Sequence, residues 1–191
     1  MKKYFFATLT SLTSLLTFSY LAPAHADTGI FYPSGDGSTY RITTAGGLDS
    51  NWDINMAGNS AAWGTPAITY FTSSPGQNDK YGLVWDNTYG AYTIRPRVEP
   101  NGDACLTENP SGKIELRPCL GYDFNDNQHF WIQCSNSDNA EGKGKLSGCY
   151  ISNALHSSQA IGTDWGHQNY PIGETNYSPS YGLWWNFIPD N

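Results

Sequence analysis

The chain has 191 residues, with 10 basic and 17 acidic side chains and a formal net charge of −7. This acidic balance argues against nucleic acid as a partner, because binding to phosphates requires a basic surface. Beyond the amino-terminal segment no apolar stretch is long enough to span a membrane, so no membrane span is expected after that segment is removed.

The first predicted element is a secretory signal peptide over residues 1–26. Two lysines precede an apolar stretch from residue 4 to about residue 21, and Ala24-His25-Ala26 forms an A-x-A cleavage site. A single membrane anchor is the alternative, which the many Ser and Thr residues and the cleavage site disfavour. Cleavage leaves residues 27–191 as one domain of a secreted or periplasmic protein, with room for one hydrophobic core.

Short strand patterns follow along the rest of the chain. Gly, Pro, Asn, Asp and Ser recur every few residues, and short runs of β-branched and aromatic residues lie between them. Examples of these runs are residues 40–44, 67–71, 92–95 and 113–117. Many short strands at this spacing predict a compact all-β barrel or sandwich.

An aromatic ending recurs three times. Residues 81–85 (Tyr-Gly-Leu-Val-Trp) return as residues 181–185 (Tyr-Gly-Leu-Trp-Trp), and residues 127–131 (Asn-Gln-His-Phe-Trp) lie between them. A period of about 50 residues is typical of repeat architectures. One unit cannot bury its apolar face alone, so we predict three units packed around a pseudo-threefold axis.

This repeat makes specific predictions about the core. We expect Trp85, Trp185 and either Phe130 or Trp131 to be buried near the axis. By the same alignment the units open with strands at residues 52–54, 104–107 and 149–152, and their middle segments lie at residues 64–70, 112–116 and 160–165.

The four cysteines are expected to form disulfides in an oxidising compartment. Sequential pairing of Cys105 with Cys119 and of Cys134 with Cys149 closes two short loops, but the other two connectivities remain open from the sequence. A zinc site is the rival interpretation, which is disfavoured because there is no Cys-x-x-Cys and no Cys/His cluster.

The three-unit pattern resembles the ricin-type β-trefoil (R-type lectin) family over roughly residues 38–188. Residues 104–107 resemble the Cys-Leu-Asp opening strand, residues 64–67 the Gly-Thr-Pro-Val turn, and residues 127–130 the closing Gln-x-Trp. The resemblance implies an all-β β-trefoil of three degenerate repeats, and the Cys105–Cys119 pair fits its disulfide within a repeat. A weaker similarity is to the binding subunits of cytolethal distending toxins.

The resemblance also implies a sugar site. The family places an Asp on the opening strand, a stacking aromatic about 15 residues later and an Asn or Gln near the closing Trp. In the first unit these are Asp53 and Tyr70, with Gln77 and Asn78 just upstream of its aromatic ending. The alternative is that Asp53 caps a turn and Tyr70 packs in the core.

The other two units keep less of this pattern. The second unit has Asn127 and Gln128, but Thr107 stands where Asp is expected. The third unit offers Trp165 as a stacking ring beside Asp164, with Ile151 at the Asp position.

The expected function is therefore a secreted, lectin-like protein that binds a host-cell or environmental glycan without catalysis. A further expectation is that it is the cell-binding subunit of a bacterial toxin with companion subunits. The alternatives are a trefoil protease inhibitor or interaction subunit that binds no sugar, and a secreted hydrolase using His167 near Asp164. No catalytic motif, resident metal or cofactor is predicted.

Overall fold

The computed structural model describes residues 30–45, 52–71, 76–98, 103–120, 126–138, 143–154, 156, 158–163, 169–176 and 184–190. The predicted signal peptide, Trp165 and His167 lie outside these residues. The strands are β1 (Asp36–Thr44), β2 (Trp52–Met56), β3 (Ala67–Phe71), β4 (Lys80–Asp86), β5 (Ala91–Pro96), β6 (Ala104–Glu108), β7 (Ile114–Pro118), β8 (Phe130–Ser137), β9 (Leu146–Asn153), β10 (Gln159–Gly162), β11 (Tyr170–Pro171), β12 (Gly173–Asn176) and β13 (Trp185–Pro189). Two short 3-10 helices span Ala57–Asn59 and Asp126–Gln128.

Six of these strands close into a barrel. Strand β1 pairs with β4, β4 with β5, β5 with β8, β8 with β9, β9 with β13, and β13 with β1, each pair antiparallel. Each repeat contributes two barrel strands and, between them, one hairpin: β2–β3, β6–β7 or β10–β12. This is a β-trefoil, so the predicted fold is confirmed.

The three hairpins are linked to one another in a cyclic pattern. The linking pairs are Pro66 with Glu115, Lys113 with Gly173, and Pro171 with Ile68. Because each pair joins one repeat to the next, Ile68, Glu115 and Gly173 are equivalent positions. Their partners on the hairpin ladders, Asn55, Thr107 and Gly162, are equivalent too.

The barrel centre departs from the prediction at one repeat. The first inward side chains of the closing strands are Tyr81, Phe130 and Trp185, all fully buried. Trp85 and Trp131 are instead 40% and 39% exposed. Burial of Trp185 and of Phe130 is confirmed, and burial of Trp85 is wrong.

The error at Trp85 is one of register. The shared Tyr-Gly-Leu string aligns Trp85 with Trp185, but β4 already points inward at Tyr81, four residues earlier, whereas β13 begins at Trp185. Strand β4 therefore carries Trp85 to its outer end, where the ring packs edge-on against Tyr92 with centroids 4.9 Å apart.

The third repeat is also shifted relative to the predicted alignment. Residues 149–152 lie on barrel strand β9, which pairs with β8, and β10 is the strand that corresponds to β2 and β6. The sequence alignment treated Cys149 as the equivalent of Cys105. The two residues are both cysteines, but they lie at different positions of their repeats.

Both sequential disulfides are present. Cys105 is bonded to Cys119 and Cys134 to Cys149, and there is no free cysteine. The first ties β6 to the residue after β7, and the second crosses between β8 and β9. Loops of this length contribute about 3 kcal/mol each in the chain-entropy model.

A glycine sets the distance between the second and third hairpins. A Cβ added at Gly173 would lie 2.4 Å from the backbone oxygen of Gly112, closer than any side chain tolerates. The two hairpins can therefore approach only because position 173 has no side chain. Among the described residues, no helix has the length and apolar character needed to cross a membrane.

Candidate functional site

An open depression of about 620 Å³ lies beside the first repeat. It is lined by Asn59, Gln77, Asn78, Arg97 and Val98. Small-molecule sites typically have volumes of about 300–1,000 Å³, so this space is large enough for a sugar unit. Two of the sequence-predicted site residues, Gln77 and Asn78, are thus brought together.

Asn78 is held in place by two other asparagines. Its Nδ2 donates to Asn55 Oδ1 at 2.8 Å and to Asn59 Oδ1 at 2.5 Å. Asn55 is buried on β2, and Asn59 has a positive φ of 54° in the turn that follows. The donor is fully used by these two bonds, so the amide oxygen of Asn78 is the atom with capacity to accept from a ligand hydroxyl.

The depression also carries a fixed positive charge. Arg97 donates through Nε to Thr39 Oγ1 at 3.2 Å and through Nη2 to the backbone oxygen of Gly37 at 2.9 Å. A Cβ at Gly82 would lie 2.6 Å from Arg97 Nη2, so the guanidinium lies directly over that glycine. These contacts orient Arg97 before any ligand arrives.

Tyr70 lies on β3, near the same hairpin. It is directly opposite Asp53 in the β2–β3 ladder, and Asn55 is opposite Ile68, so Tyr70 and Asn55 project from the same face. The ring is 39% exposed, which excludes the alternative that Tyr70 packs in the core. Tyr70 does not itself line the depression.

Asp53 does not lie at the surface. Its side chain has no exposed area, and Arg41 donates to Oδ2 through Nη2 at 2.6 Å and Nε at 3.2 Å. Asp53 is also in the middle of β2 and caps no turn. The expectation of a surface carboxylate is wrong, and Asp53 instead forms a buried ion pair beneath the hairpin.

The cyclic equivalence of the repeats explains why Asp53 is not at the position of the family's sugar-binding Asp. Thr107 stands where the family pattern has its Asp, and its structural counterpart in the first repeat is Asn55, two residues after Asp53. The family spacing of about 15 residues, counted back from Tyr70, reaches Asn55 and could have identified it.

The closing motif of the first repeat is residues 78–81. Since Tyr81 corresponds to Phe130, Asp79 corresponds to Gln128 and Asn78 to Asn127. Gln128 is buried and donates to Thr107 Oγ1 at 2.8 Å. Asp79 is buried as well, and burial raises the pKa of its carboxyl group, while the positive charge of Arg41 acts in the opposite direction.

The second repeat uses its polar groups internally. Asn127 donates through Nδ2 to the backbone oxygen of Glu108 at 3.1 Å, and Gln128 accepts from the amide of Leu120 at 2.9 Å. The polar groups of this closing motif therefore bond within the protein and not to a ligand. In the third repeat Trp165 and Asp164 lie outside the described residues, so the stacking role of Trp165 stays a prediction.

Other large side chains are exposed around the molecule. Trp63 and Trp184 are exposed. The further exposed aromatics are Tyr32, Phe71, Trp85, Trp131 and Tyr170. Arg97 and Asn59 have no sequence signal of their own, since they reach the site from separate loops.

Several solved structures are similar to this chain in fold. A mosquitocidal holotoxin matches at 20% identity and a TM-score of 0.65, over 82% of this chain and 18% of that chain. A designed 3-fold symmetric protein, ThreeFoil, matches at 18% identity and a TM-score of 0.56, over 80% and 99%. The C-half of the earthworm R-type lectin, in complex with GalNAc, matches at 13% identity and a TM-score of 0.55, over 80% and 99%.

These likenesses establish the fold. The chain spans less than a fifth of the length of the holotoxin and nearly all of the two small trefoils. No family model and no curated protein matches the chain.

Proposed function

We propose that this protein is a secreted, carbohydrate-binding β-trefoil that recognises a glycan at the depression of its first repeat. The observation that carries the proposal is the arrangement of Asn78. Its amide is locked by Asn55 and Asn59 and lies beside the exposed Gln77 in a space of about 620 Å³. Preorganised planar amides of this kind suit the vicinal hydroxyls of a sugar.

The proposed roles follow from the geometry. Asn78 Oδ1 accepts a hydrogen bond from a ring hydroxyl, and the side-chain amide of Gln77 both donates to and accepts from hydroxyls. Tyr70 offers an exposed ring on the same hairpin face, against which the apolar face of an extended glycan can stack. Arg97 places a positive charge in the depression, which favours sugars that carry a carboxylate.

Export is part of the proposal. The predicted signal peptide over residues 1–26 and the two disulfides both suit an oxidising extracellular compartment. The similar earthworm lectin was solved with GalNAc, which supports a sugar as the ligand class.

A toxin-associated role is the second candidate. It is favoured by the match to one part of a mosquitocidal holotoxin, at a TM-score of 0.65. In that role the trefoil delivers the toxin to a glycosylated surface, and the exposed tryptophans Trp63, Trp131 and Trp184 are candidate contacts for companion subunits.

A glycan array with the protein from residue 27 onward tests the main proposal. The array includes neutral galactose- and N-acetylgalactosamine-terminated glycans and their sialylated forms. Saturable binding to one class, lost in an Asn78→Ala variant, supports a sugar site in the first repeat. A blank array together with capture of a protein partner would favour the interaction subunit that binds no sugar.

A further inference from the structure

Three side chains from two repeats meet away from the sugar-binding depression. Glu108 ends β6 in the second repeat, Glu174 lies on β12 in the third, and His156 lies between β9 and β10. His156 Nδ1 is 3.2 Å from Glu108 Oε1 and 2.8 Å from Glu174 Oε1. One potential ligand atom from each residue lies within 4.8 Å of the other two.

The two carboxylates are largely withdrawn from water. The side chains of Glu108 and Glu174 are 5% and 9% exposed, whereas His156 is 52% exposed. Glu108 Oε2 is buried and accepts no hydrogen bond within the described part of the chain. Two adjacent buried carboxylates are unfavourable unless a cation compensates them.

The backbone fixes this arrangement. The Glu174 amide donates to the backbone oxygen of Gly112 at 2.7 Å, and Asn127 Nδ2 donates to the backbone oxygen of Glu108 at 3.1 Å. The close approach at Gly173 sets the spacing of the two strands that carry the carboxylates. The His156 amide donates to the Asn153 oxygen at 3.2 Å, which holds the loop against β9.

We propose that Glu108, His156 and Glu174 form a binding site for a divalent transition-metal ion, with zinc as the best fit. A tetrahedral zinc ion with bonds of about 2.0 Å holds its ligand atoms about 3.3 Å apart. The distance of 3.2 Å from His156 Nδ1 to Glu108 Oε1 lies close to that value, and the distance of 2.8 Å to Glu174 Oε1 is shorter and has to widen when the ion binds. Two carboxylates and a neutral imidazole balance the charge of the ion, and the exposed side at His156 leaves room for water as a fourth ligand.

The ligand types favour zinc over calcium and magnesium. Those two cations take six or more oxygen ligands, and an imidazole nitrogen is a poor substitute. Without metal, His156 Nδ1 lies within hydrogen-bond distance of both carboxylates.

The consequence is a metal link between repeats. Glu108 belongs to the second repeat, and both other ligands belong to the third. An ion that binds only the folded state stabilises it by an amount that grows with the logarithm of the ion concentration relative to the dissociation constant. The site would thus tie together two hairpins that no disulfide joins.

Calorimetric titration of zinc into untagged protein stripped with EDTA tests the proposal. We expect one zinc per chain, a rise in melting temperature with zinc, and no comparable response to calcium or magnesium. His156→Gln removes a ligand from an exposed position, so the variant should fold, and zinc affinity should fall about tenfold or more. The matched control is Asp86→Asn, which removes the carboxylate 3.3 Å from His129 Nε2 and should leave zinc binding unchanged.

Two results would overturn the proposal. One is no saturable zinc binding by the wild-type protein. The other is zinc binding that His156→Gln leaves unchanged, which would place the metal elsewhere in the chain. If His156→Gln alters the melting temperature while zinc has no effect, the three residues form a structural hydrogen-bonded contact and not a metal site.

Discussion

Asn78 donates its side-chain amide to Asn55 Oδ1 at 2.8 Å, and this bond joins the closing motif of the first repeat to the centre of its hairpin. Asn55 is buried and Asn78 is half-buried, so the bond connects the interior to the surface of the proposed glycan site. The orientation of Asn78 is therefore set by the fold and not by the ligand.

Asn78→Ala should weaken glycan binding about tenfold, because it removes a preorganised acceptor and leaves Asn55 and Asn59 to reorient. The loss of stability should be about 1 kcal/mol, the typical net worth of a hydrogen bond. Isothermal titration with the best glycan from the array, alongside urea unfolding, measures both. Unchanged affinity would remove Asn78 from the site.

Tyr70→Ala should weaken binding by about 1–3 kcal/mol if the ring stacks on the glycan. Tyr170→Ala is the matched control, since Tyr170 is 41% exposed and pairs with Thr69 on the neighbouring strand, on the opposite face from Tyr70. If both substitutions weaken binding equally, Tyr70 has no specific stacking role.

Asp53→Ala should destabilise the fold by about 3 kcal/mol, because it leaves the partly buried Arg41 without its partner. The expected cost is large because Asp53 is a buried member of an ion pair and not a sugar-binding residue at the surface. Asp190→Ala breaks the more exposed Lys80–Asp190 pair and serves as the control, with a change within about 0.5 kcal/mol. Urea unfolding that ranks the two variants equally would contradict the buried ion pair.

Asp79→Asn should stabilise the protein at neutral pH but not in acid. Burial raises the pKa of Asp79, so the folded chain holds this proton more tightly than the unfolded chain. The stability that this proton contributes is fully present below the ordinary pKa of an Asp carboxyl group. It is lost as the pH rises through the higher pKa that Asp79 has in the folded chain. Asn keeps the neutral form at every pH. Unfolding free energies of both proteins at acid and neutral pH test this, and a pH-independent difference would be the contrary result.

The parts of the fold that could be predicted from the sequence are those that local sequence patterns determine. Turn residues between short apolar runs gave the all-β class, and a period of about 50 residues gave the threefold repeat. The sequence predicted disulfides and offered the sequential pairing as one of three connectivities, and the structure has that pairing. The burial of Trp185 was predicted correctly, whereas the sequence left open whether Phe130 or Trp131 is the buried residue of the second repeat.

The failures come from register, which sequence fixes weakly. Trp85 shares a five-residue string with Trp185, yet a shift of four residues along β4 moves it from the core to the surface. Asp53 was two residues from Asn55, the position that the hairpin ladders make equivalent to Thr107. In a strand, such shifts keep the face but change depth, so residue type alone cannot reveal them.

Other site residues were beyond local reasoning. Arg97 reaches the depression after β5, and its orientation depends on Thr39 and Gly37 at the start of the barrel. Glu108, His156 and Glu174 are spread over two repeats. Their meeting depends on hairpin packing around the axis, which a single sequence does not display.

The pairing of β1 with β13 has a consequence for how the protein matures. Thr44 lies opposite Trp185, and Tyr40 lies opposite Pro189, so the first and last strands form the seam of the barrel. A chain emerging amino-terminus first exposes one edge of β1 until residues 185–189 arrive. Such late, non-local closure is slow, so this edge of β1 stays unpaired for much of the folding process.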